Sequence, residues 1–297
     1  MSSTAPDYHP VPSPDEDGRA PRDAPDGAPG TDGTAGTGGS ADRRRGLFIA
    51  FEGGDGAGKS TQVRRLAERL TAAGHGVLTT REPGGTPIGE RLRSLVLEHG
   101  DAVVDARTEA LIFAAARAAH VEQVIRPALA AGRDVVTDRY IDSSIAYQGA
   151  GRGLGSADVE AINAWATGGL QPDLTILLDV DPAAGRDRRA DRAPEDRMES
   201  EPDAFHTVIR QTFLRRAAAD PGRYLVLDGT QPVAVIADRV AAAVQTLGAA
   251  SLPALPDPGD PGLTATHPAD AVDVIPAPGP TAENLAGNVA GNLAGAG

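Results

Sequence analysis

One lysine, Lys59, stands against 27 arginines (28 Lys+Arg minus one), and it lies inside Gly53-Gly-Asp-Gly-Ala-Gly-Lys-Ser60. That run constrains the fold more than any other part of the chain. It is a complete G-x-x-x-x-G-K-[ST] loop, in which backbone N–H groups of a Gly-rich turn form a nest for an anion. A compact ammonium then reaches the phosphate oxygens, and the serine hydroxyl faces Mg²⁺. Cation positions elsewhere in the chain are filled by guanidinium, so the lone ammonium needs a local reason, and the loop supplies it. The context agrees: Leu47 to Phe51 is a short apolar run, and Val63, Leu66, Ala67 and Leu70 follow at helical spacing. Strand, Gly loop and helix occur in the order that the motif requires.

Composition divides the 297 residues unevenly. Residues 1–45 and 249–297 are built from Pro, Gly, Ala, Asp, Ser and Thr and hold 15 of the 24 prolines (7 + 8). Such segments cannot bury enough apolar surface to offset chain entropy and are expected to be disordered tails. The net charge of −13 splits as −3, −5 and −5 over the first tail, the core and the second tail. A mildly acidic core with no basic face is not expected to have a nucleic-acid partner, and Arg43-Arg-Arg45 reads as a solubilising flank. The chain has no cysteine, so disulfides and thiolate metal sites are excluded and a reducing compartment fits. The first residues carry no apolar leader, no run approaches the ~18 apolar residues of a membrane span, and the six histidines have no metal-ligand spacing. The expectation is a cytoplasmic protein without a membrane partner.

In residues 46–248 short apolar runs alternate with helical patterns. Strands are expected at 47–52, 76–80, 134–137, 174–179 and 224–227. Helices are expected at 59–73, 87–98, 106–130, 157–167, 182–191, 203–218 and 232–246. This alternation predicts an α/β fold with a five-stranded parallel sheet and helices on both faces.

A phosphate loop leaves GTPase, ATPase and kinase open. The chain has neither an Asn-Lys-x-Asp guanine-reading motif nor an apolar strand ending in Asp-Glu. Four further segments carry groups suited to a second anionic ligand. Arg81-Glu-Pro-Gly-Gly-Thr86 has strong turn chemistry, with Arg93 one helical stretch later. Phe113 and Arg117 share one helix face at i, i+4. Asp138 and Arg139 end the third strand, on the sheet edge where ligands bind in open α/β folds. Ser143, Ser144, Tyr147 and Gln148 follow and are expected within hydrogen-bonding reach of one another. The Arg/Asp alternation from Arg186 through Arg197 reads either as a salt-bridged helix or as a mobile flap over phosphates.

Together these segments resemble thymidylate kinase, over Phe51-Glu-Gly-Gly-Asp-Gly-Ala-Gly-Lys-Ser-Thr61, Thr80 to Thr86, Phe113-x-x-x-Arg117, Asp138 to Ser144, Ala146-Tyr-Gln-Gly149, Pro172 to Thr175 and Asp228-Gly-Thr230. Gly56 in the loop and the Arg-rich lid resemble the family's bacterial form. The resemblance implies a P-loop kinase that phosphorylates dTMP with Mg²⁺ and ATP, acting as a homodimer with helices around 106–130 and 142–167 between subunits. Residues 53–61, namely Gly53, Gly54, Asp55, Gly56, Ala57, Gly58, Lys59, Ser60 and Thr61, are implied to bind ATP, with Ser60 and Asp138 on the metal. For dTMP it implies Asp55 at the 3′-hydroxyl, Phe113 stacked on thymine, and Arg117 and Gln148 on its edge. Arg93 and Arg139 are implied at its phosphate, Tyr147 against the 2′ position, and Ser143 and Ser144 beside them. Lys59, Asp138 and the lid arginines Arg188, Arg192 and Arg197 are the implied catalytic set, Arg192 foremost. Two alternatives stay open on sequence: a kinase for another nucleoside monophosphate, and a nucleotide-binding module without turnover.

Overall fold

The computed structural model describes residues 45–98, 103–189 and 195–248, together with Leu252 and the backbone of Asp273–Val274. Five strands, β1 (Phe48–Glu52), β2 (Val77–Arg81), β3 (Asp134–Asp138), β4 (Leu174–Asp179) and β5 (Tyr224–Asp228), form one sheet in the order β5-β4-β1-β3-β2. Every pairing is parallel. A further two-residue strand, β6 (Asp273–Val274), pairs with β2 at Leu78 and Thr79. The rest of residues 249–297 except Leu252, and all of residues 1–44, lie outside the described residues, and the expectation of disorder lies there with them.

The central strand shows why the sheet needs two helical layers. All five residues of β1 are buried, and the pleat sends alternate side chains to opposite faces. Ile49 and Phe51 join Leu66 and Leu70 of α1 (Lys59–Ala72) and Val240 and Val244 of α9 (Val233–Thr246). Phe48 and Ala50 join Val135, Ile125, Tyr140 and Ile145 on the other side. Burying both faces is what requires the continuous apolar run. A third apolar group joins Tyr147, Leu177 and Met198 to Ile209 and Phe213 of α8 (Asp203–Ala219).

The remaining helices are α2 (Pro87–Leu97), α3 (Ala106–His120), α4 (Arg126–Ala130), α5 (Ile141–Ser144), α6 (Ser156–Ala166) and α7 (Pro182–Asp187). The helix expected over 106–130 is α3, a π-helical turn Val121–Ile125 and α4 in succession. α5 likewise runs into a π-helical stretch, Ile145–Gly151. The helix expected over 182–191 ends earlier, at Asp187. No helix among the described residues is long and apolar enough to cross a membrane.

Register places the chemistry. Phe51 and Arg81 both stand opposite Asp138, so the phosphate loop after β1, the Arg81 turn after β2 and Asp138 at the end of β3 share one carboxyl edge. β1 is the strand on either side of which the connections diverge, the crevice that open α/β sheets use for ligands.

Candidate functional site

The loop between β1 and α1 is shaped by glycines that no other residue can replace. Gly53 has φ +133° and Gly56 φ +80°, and a Cβ on Gly56 would lie 2.1 Å from the Gly185 carbonyl oxygen. α1 starts without a side-chain cap and without an acid in its first turn. Its first N–H groups therefore have no intrachain side-chain acceptor, and an anion suits them. Lys59 is buried, and its Nζ donates to the carbonyls of Gly53 (3.1 Å) and Gly54 (2.9 Å). Burial, and next the Arg139 cation, push its pKa down, against the pull of Asp138, Asp55 and Glu52. Ser60 Oγ donates to Asp138 Oδ2 at 2.7 Å. Gly56, Gly58, Lys59, Ser60, Thr61 and Asp138 thus line one cavity.

A second cavity, about 660 Å³ of space open to solvent, adjoins it. Asp55, Arg93, Phe113, Arg117, Arg139, Ser143, Ser144, Tyr147 and Gln148 all line it. Asp55, Glu82, Arg93, Arg139 and Glu199 line both cavities, so a ligand in each would meet at these side chains.

Arg139 is the junction. It is a non-glycine residue at φ +72°, a conformation that L side chains rarely adopt. Its guanidinium donates to the Gly53 carbonyl (3.2 Å), Ser143 Oγ (3.0 Å), Tyr147 Oη (3.3 Å) and the Asp55 carboxylate. Tyr147 Oη donates to the other Asp55 oxygen at 2.8 Å. Burial alone would raise the Asp55 pKa, but Arg139 and Lys59 outweigh it and hold the carboxyl well below its ordinary value. Burial pushes the Tyr147 phenol up, so it stays a donor. Arg93 donates to the Pro83 carbonyl at 3.0 Å, beyond the cis Glu82–Pro83 bond.

Ser143, Ser144, Tyr147 and Gln148 do not bond one another as the sequence led us to expect. α5 and the π-helical stretch after it aim them instead at β1, at α3 and at the phosphate loop. Ser143 Oγ donates to Glu52 Oε2 (2.6 Å), Ser144 Oγ accepts from Arg117 (2.9 Å), Tyr147 bonds Asp55, and Gln148 Nε2 donates to Glu109 Oε1 (2.9 Å).

The lid arginines divide. Arg192 lies outside the described residues. Arg188 donates to the Gly229 carbonyl (2.8 Å), and Arg197 donates to the Val96 carbonyl (2.8 Å) and Glu109 Oε2 (2.6 Å); neither lines the two cavities. Arg189 does line the phosphate-loop cavity, with Glu195 and Glu199 at 3.6 and 3.5 Å. Sequence reasoning also passed over three buried carboxylates that hold site residues: Glu52 and Glu109 from behind, and Glu82, which itself lines both cavities. Glu82 accepts from Arg117 Nε (2.5 Å) and bonds His120 Nδ1 (2.9 Å).

These elements match a known pattern. The sequence profile described as thymidylate kinase matches residues 51–240, which spans both cavities and most of the sheet. The chain belongs to the thymidylate kinase family. It is similar to the thymidylate kinase of Deinococcus radiodurans, 51% identical over 204 residues that make up 69% of this chain and 98% of that one. It is 52% identical to the thymidylate kinase of Cutibacterium acnes over 62% of this chain and 88% of that one. The thymidylate kinase of Pseudomonas fluorescens is 51% identical over 64% and 91%. As in any thymidylate kinase, the reaction class is that of a nucleoside monophosphate kinase.

Glu52 is expected to give this kinase a pH-dependent stability. It is fully buried, its Oε1 accepts from the backbone N–H groups of Tyr140 (2.8 Å) and Ser143 (3.1 Å), and its pKa is raised to about 7 by burial and then by Asp142, against Arg139. The folded state therefore keeps the proton at a pH where the unfolded chain, titrating near 4.5, has lost it. Stability from this group is full below the unfolded value, falls as pH rises toward about 7, and is level above. The total is about 3 kcal/mol, at ~1.4 kcal/mol per pKa unit. Urea unfolding of wild type and Glu52→Gln between pH 5 and 8 is expected to show a decline in wild type that the variant lacks. Parallel curves would mean that Glu52 is ionised throughout.

Proposed function

We propose that the chain transfers the γ-phosphoryl group of ATP to dTMP, giving dTDP and ADP, in the supply of dTTP. Family membership supports the reaction, and the observation that carries it in this chain is the sharing of Asp55, Arg93 and Arg139 between the phosphate-loop cavity and the acceptor cavity. A dTMP phosphate oxygen forms its bond to the γ-phosphorus as the bond from that phosphorus to the β,γ-bridging oxygen breaks. A phosphate monoester has its second pKa near 6, so the nucleophile is already largely dianionic at neutral pH and needs no base. What it needs is positive charge between two polyanions.

Lys59 and the uncapped start of α1 supply that charge to ATP, and Arg93 and Arg139 hold the acceptor phosphate. Asp55, held ionised, accepts from the sugar 3′-hydroxyl, while Tyr147 crowds the 2′ position. Phe113 stacks on the base. Ser60 and Asp138 fit Mg²⁺, a hard cation that takes few protein oxygens and completes its shell with phosphate and water. Among the described residues no group of three or more His, Cys, Asp or Glu could hold a metal ion unaided, which suits a metal carried in with the nucleotide. When bound, Mg²⁺ neutralises charge on the β- and γ-phosphate oxygens. We add Arg189 to the lid arginines, since it lines the phosphate-loop cavity.

The reading includes a cytoplasmic homodimer, with residues 46–248 as the catalytic segment. Leu111 on α3 and Trp165 on α6 are 57% and 87% exposed, apolar surface suited to a subunit contact; sedimentation at the mass of one chain would remove the dimer. The reaction itself is tested by ADP release from Mg-ATP with dTMP, dUMP, UMP, dCMP, AMP and dGMP. A strong preference for dTMP is expected. Preference for another acceptor would reassign the base contacts, and silence with ATP still bound would leave a module without turnover.

A further inference from the structure

Gln148 lies in the acceptor cavity with its amide turned one way, and the reason is a residue outside the cavity lining. Glu109, fully buried on α3, receives Gln148 Nε2 at 2.9 Å on one oxygen and Arg197 at 2.6 Å on the other, with Arg152 Nε at 3.2 Å. A carboxylate held between two guanidinium groups accepts and does not donate. It can therefore bond only the NH₂ end of Gln148, which leaves Gln148 Oε1 for the cavity. Among the described residues no protein group bonds that oxygen.

Arg117 is limited in the same way. Its five N–H groups meet Glu82 through Nε, Ser144 (2.9 Å) and Asn163 through one terminal nitrogen, and the Tyr140 carbonyl (3.0 Å) through the other. One N–H is left. Between them Arg117 and Gln148 thus offer the cavity one fixed donor and one fixed acceptor. Their complement is a lactam edge, a carbonyl next to a ring N–H, as in thymine, uracil and guanine. Cytosine presents the opposite pair, an amino group next to a bare ring nitrogen.

We infer that Glu109 is a positioning residue for base specificity: by fixing the Gln148 amide it makes the acceptor site select a lactam edge over an amino-pyrimidine edge. This rests on the reading of the cavity as the acceptor-nucleotide site. Glu109, Phe113 and Arg117 stand at i, i+4 and i+8 on α3, so one helix face carries the orienting group, the ring and the donor.

Glu109→Gln is the test, because a glutamine there can donate as well as accept and so frees the Gln148 amide to turn. The quantity measured is the ratio of kcat/KM for dTMP to that for dCMP, which does not depend on the fraction of folded enzyme. The ratio is expected to fall about tenfold or more, mainly through a higher KM for dTMP with kcat nearly unchanged. Arg152→Met, which removes a neighbour of Glu109 and leaves the Gln148 bond, is expected to keep the wild-type ratio. Gln148→Leu is expected to lose it, and covers the case in which the Glu109 variant does not fold. An unchanged ratio in Glu109→Gln or in Gln148→Leu overturns the inference, as does an equal loss in Arg152→Met. A wild type that does not prefer dTMP to dCMP brings down the function reading itself and this inference with it.

Discussion

Lys59→Met is expected to lower kcat about a thousandfold while leaving the fold at least as stable as wild type. The two effects separate because of where the ammonium sits. In the free protein it is buried, donates to the Gly53 and Gly54 carbonyls, and lies near the Arg139 cation, with burial as the larger cause of a lowered pKa. A lysine whose folded pKa is lowered binds its proton less well in the folded state than in the unfolded chain. Charging it at neutral pH therefore costs stability, which is regained only as pH rises through the folded pKa toward 10.5. Methionine fills similar volume without that cost, offset in part by two carbonyls that lose a donor. In the transition state the balance reverses, since the same ammonium then faces the charge of the transferring group, where removing one preorganised donor costs about 10² to 10³ in rate. Steady-state kinetics and urea unfolding on the same preparation decide the matter. Turnover near wild type would remove Lys59 from the reaction, and a stability loss large enough to account for the inactivity would make it a structural residue.

The sequence exposed those features whose cause is local. Strand β1 was legible because a strand buried on both faces must be apolar throughout, and α1 because Val63, Leu66, Ala67 and Leu70 repeat at 3.6 residues. Of the nine predicted residues that line the second cavity, Arg139 was singled out by its place at a strand end, whereas Phe113 and Arg117 at i, i+4 describe a core face equally well and took their implied roles from the family resemblance. What stayed hidden depends on partners far apart in the chain. Glu52 meets Ser143 across 91 residues, Arg117 meets Glu82 across 35, and Gln148 meets Glu109 across 39. An acid in a site for anionic ligands reads, on sequence, as surface. Only the fold reveals it as the acceptor that orients a donor. Arg188 and Arg189 make the same point at closest range. α7 ends at Asp187 with Arg188 as its cap, and adjacent residues at a helix end point about 100° apart. One reaches the Gly229 carbonyl and the other the phosphate-loop cavity, and no spacing rule ranks them.

Arg139→Ala is expected to lower kcat/KM for dTMP about a thousandfold and to move an ionisation into the pH range of the assay. The first effect follows from position, since Arg139 lines both cavities and is proposed to hold the acceptor phosphate. The second follows from Asp55. In wild type, burial raises its pKa, and Arg139 and Lys59 together more than cancel that. With Arg139 gone the largest influence opposing burial is lost, and the Asp55 pKa rises. An acid whose active form is the carboxylate then gives an acid limb at higher pH than in wild type. The second ionisation of dTMP, near pH 6, bends both profiles alike, so the ratio of variant to wild-type kcat/KM isolates the protein group. That ratio is expected to fall further as pH is lowered from 8 to 5, and to stay flat when Asn replaces Asp55 in both backgrounds. Arg139→Gly separates charge from backbone strain, because it removes the same guanidinium but relieves a left-handed conformation that costs a non-glycine residue about 1 kcal/mol. It is expected to match Arg139→Ala in rate and in pH dependence while unfolding at higher urea. A glycine variant that recovers activity would show that the conformation at this position, and not the guanidinium, governs the acceptor site.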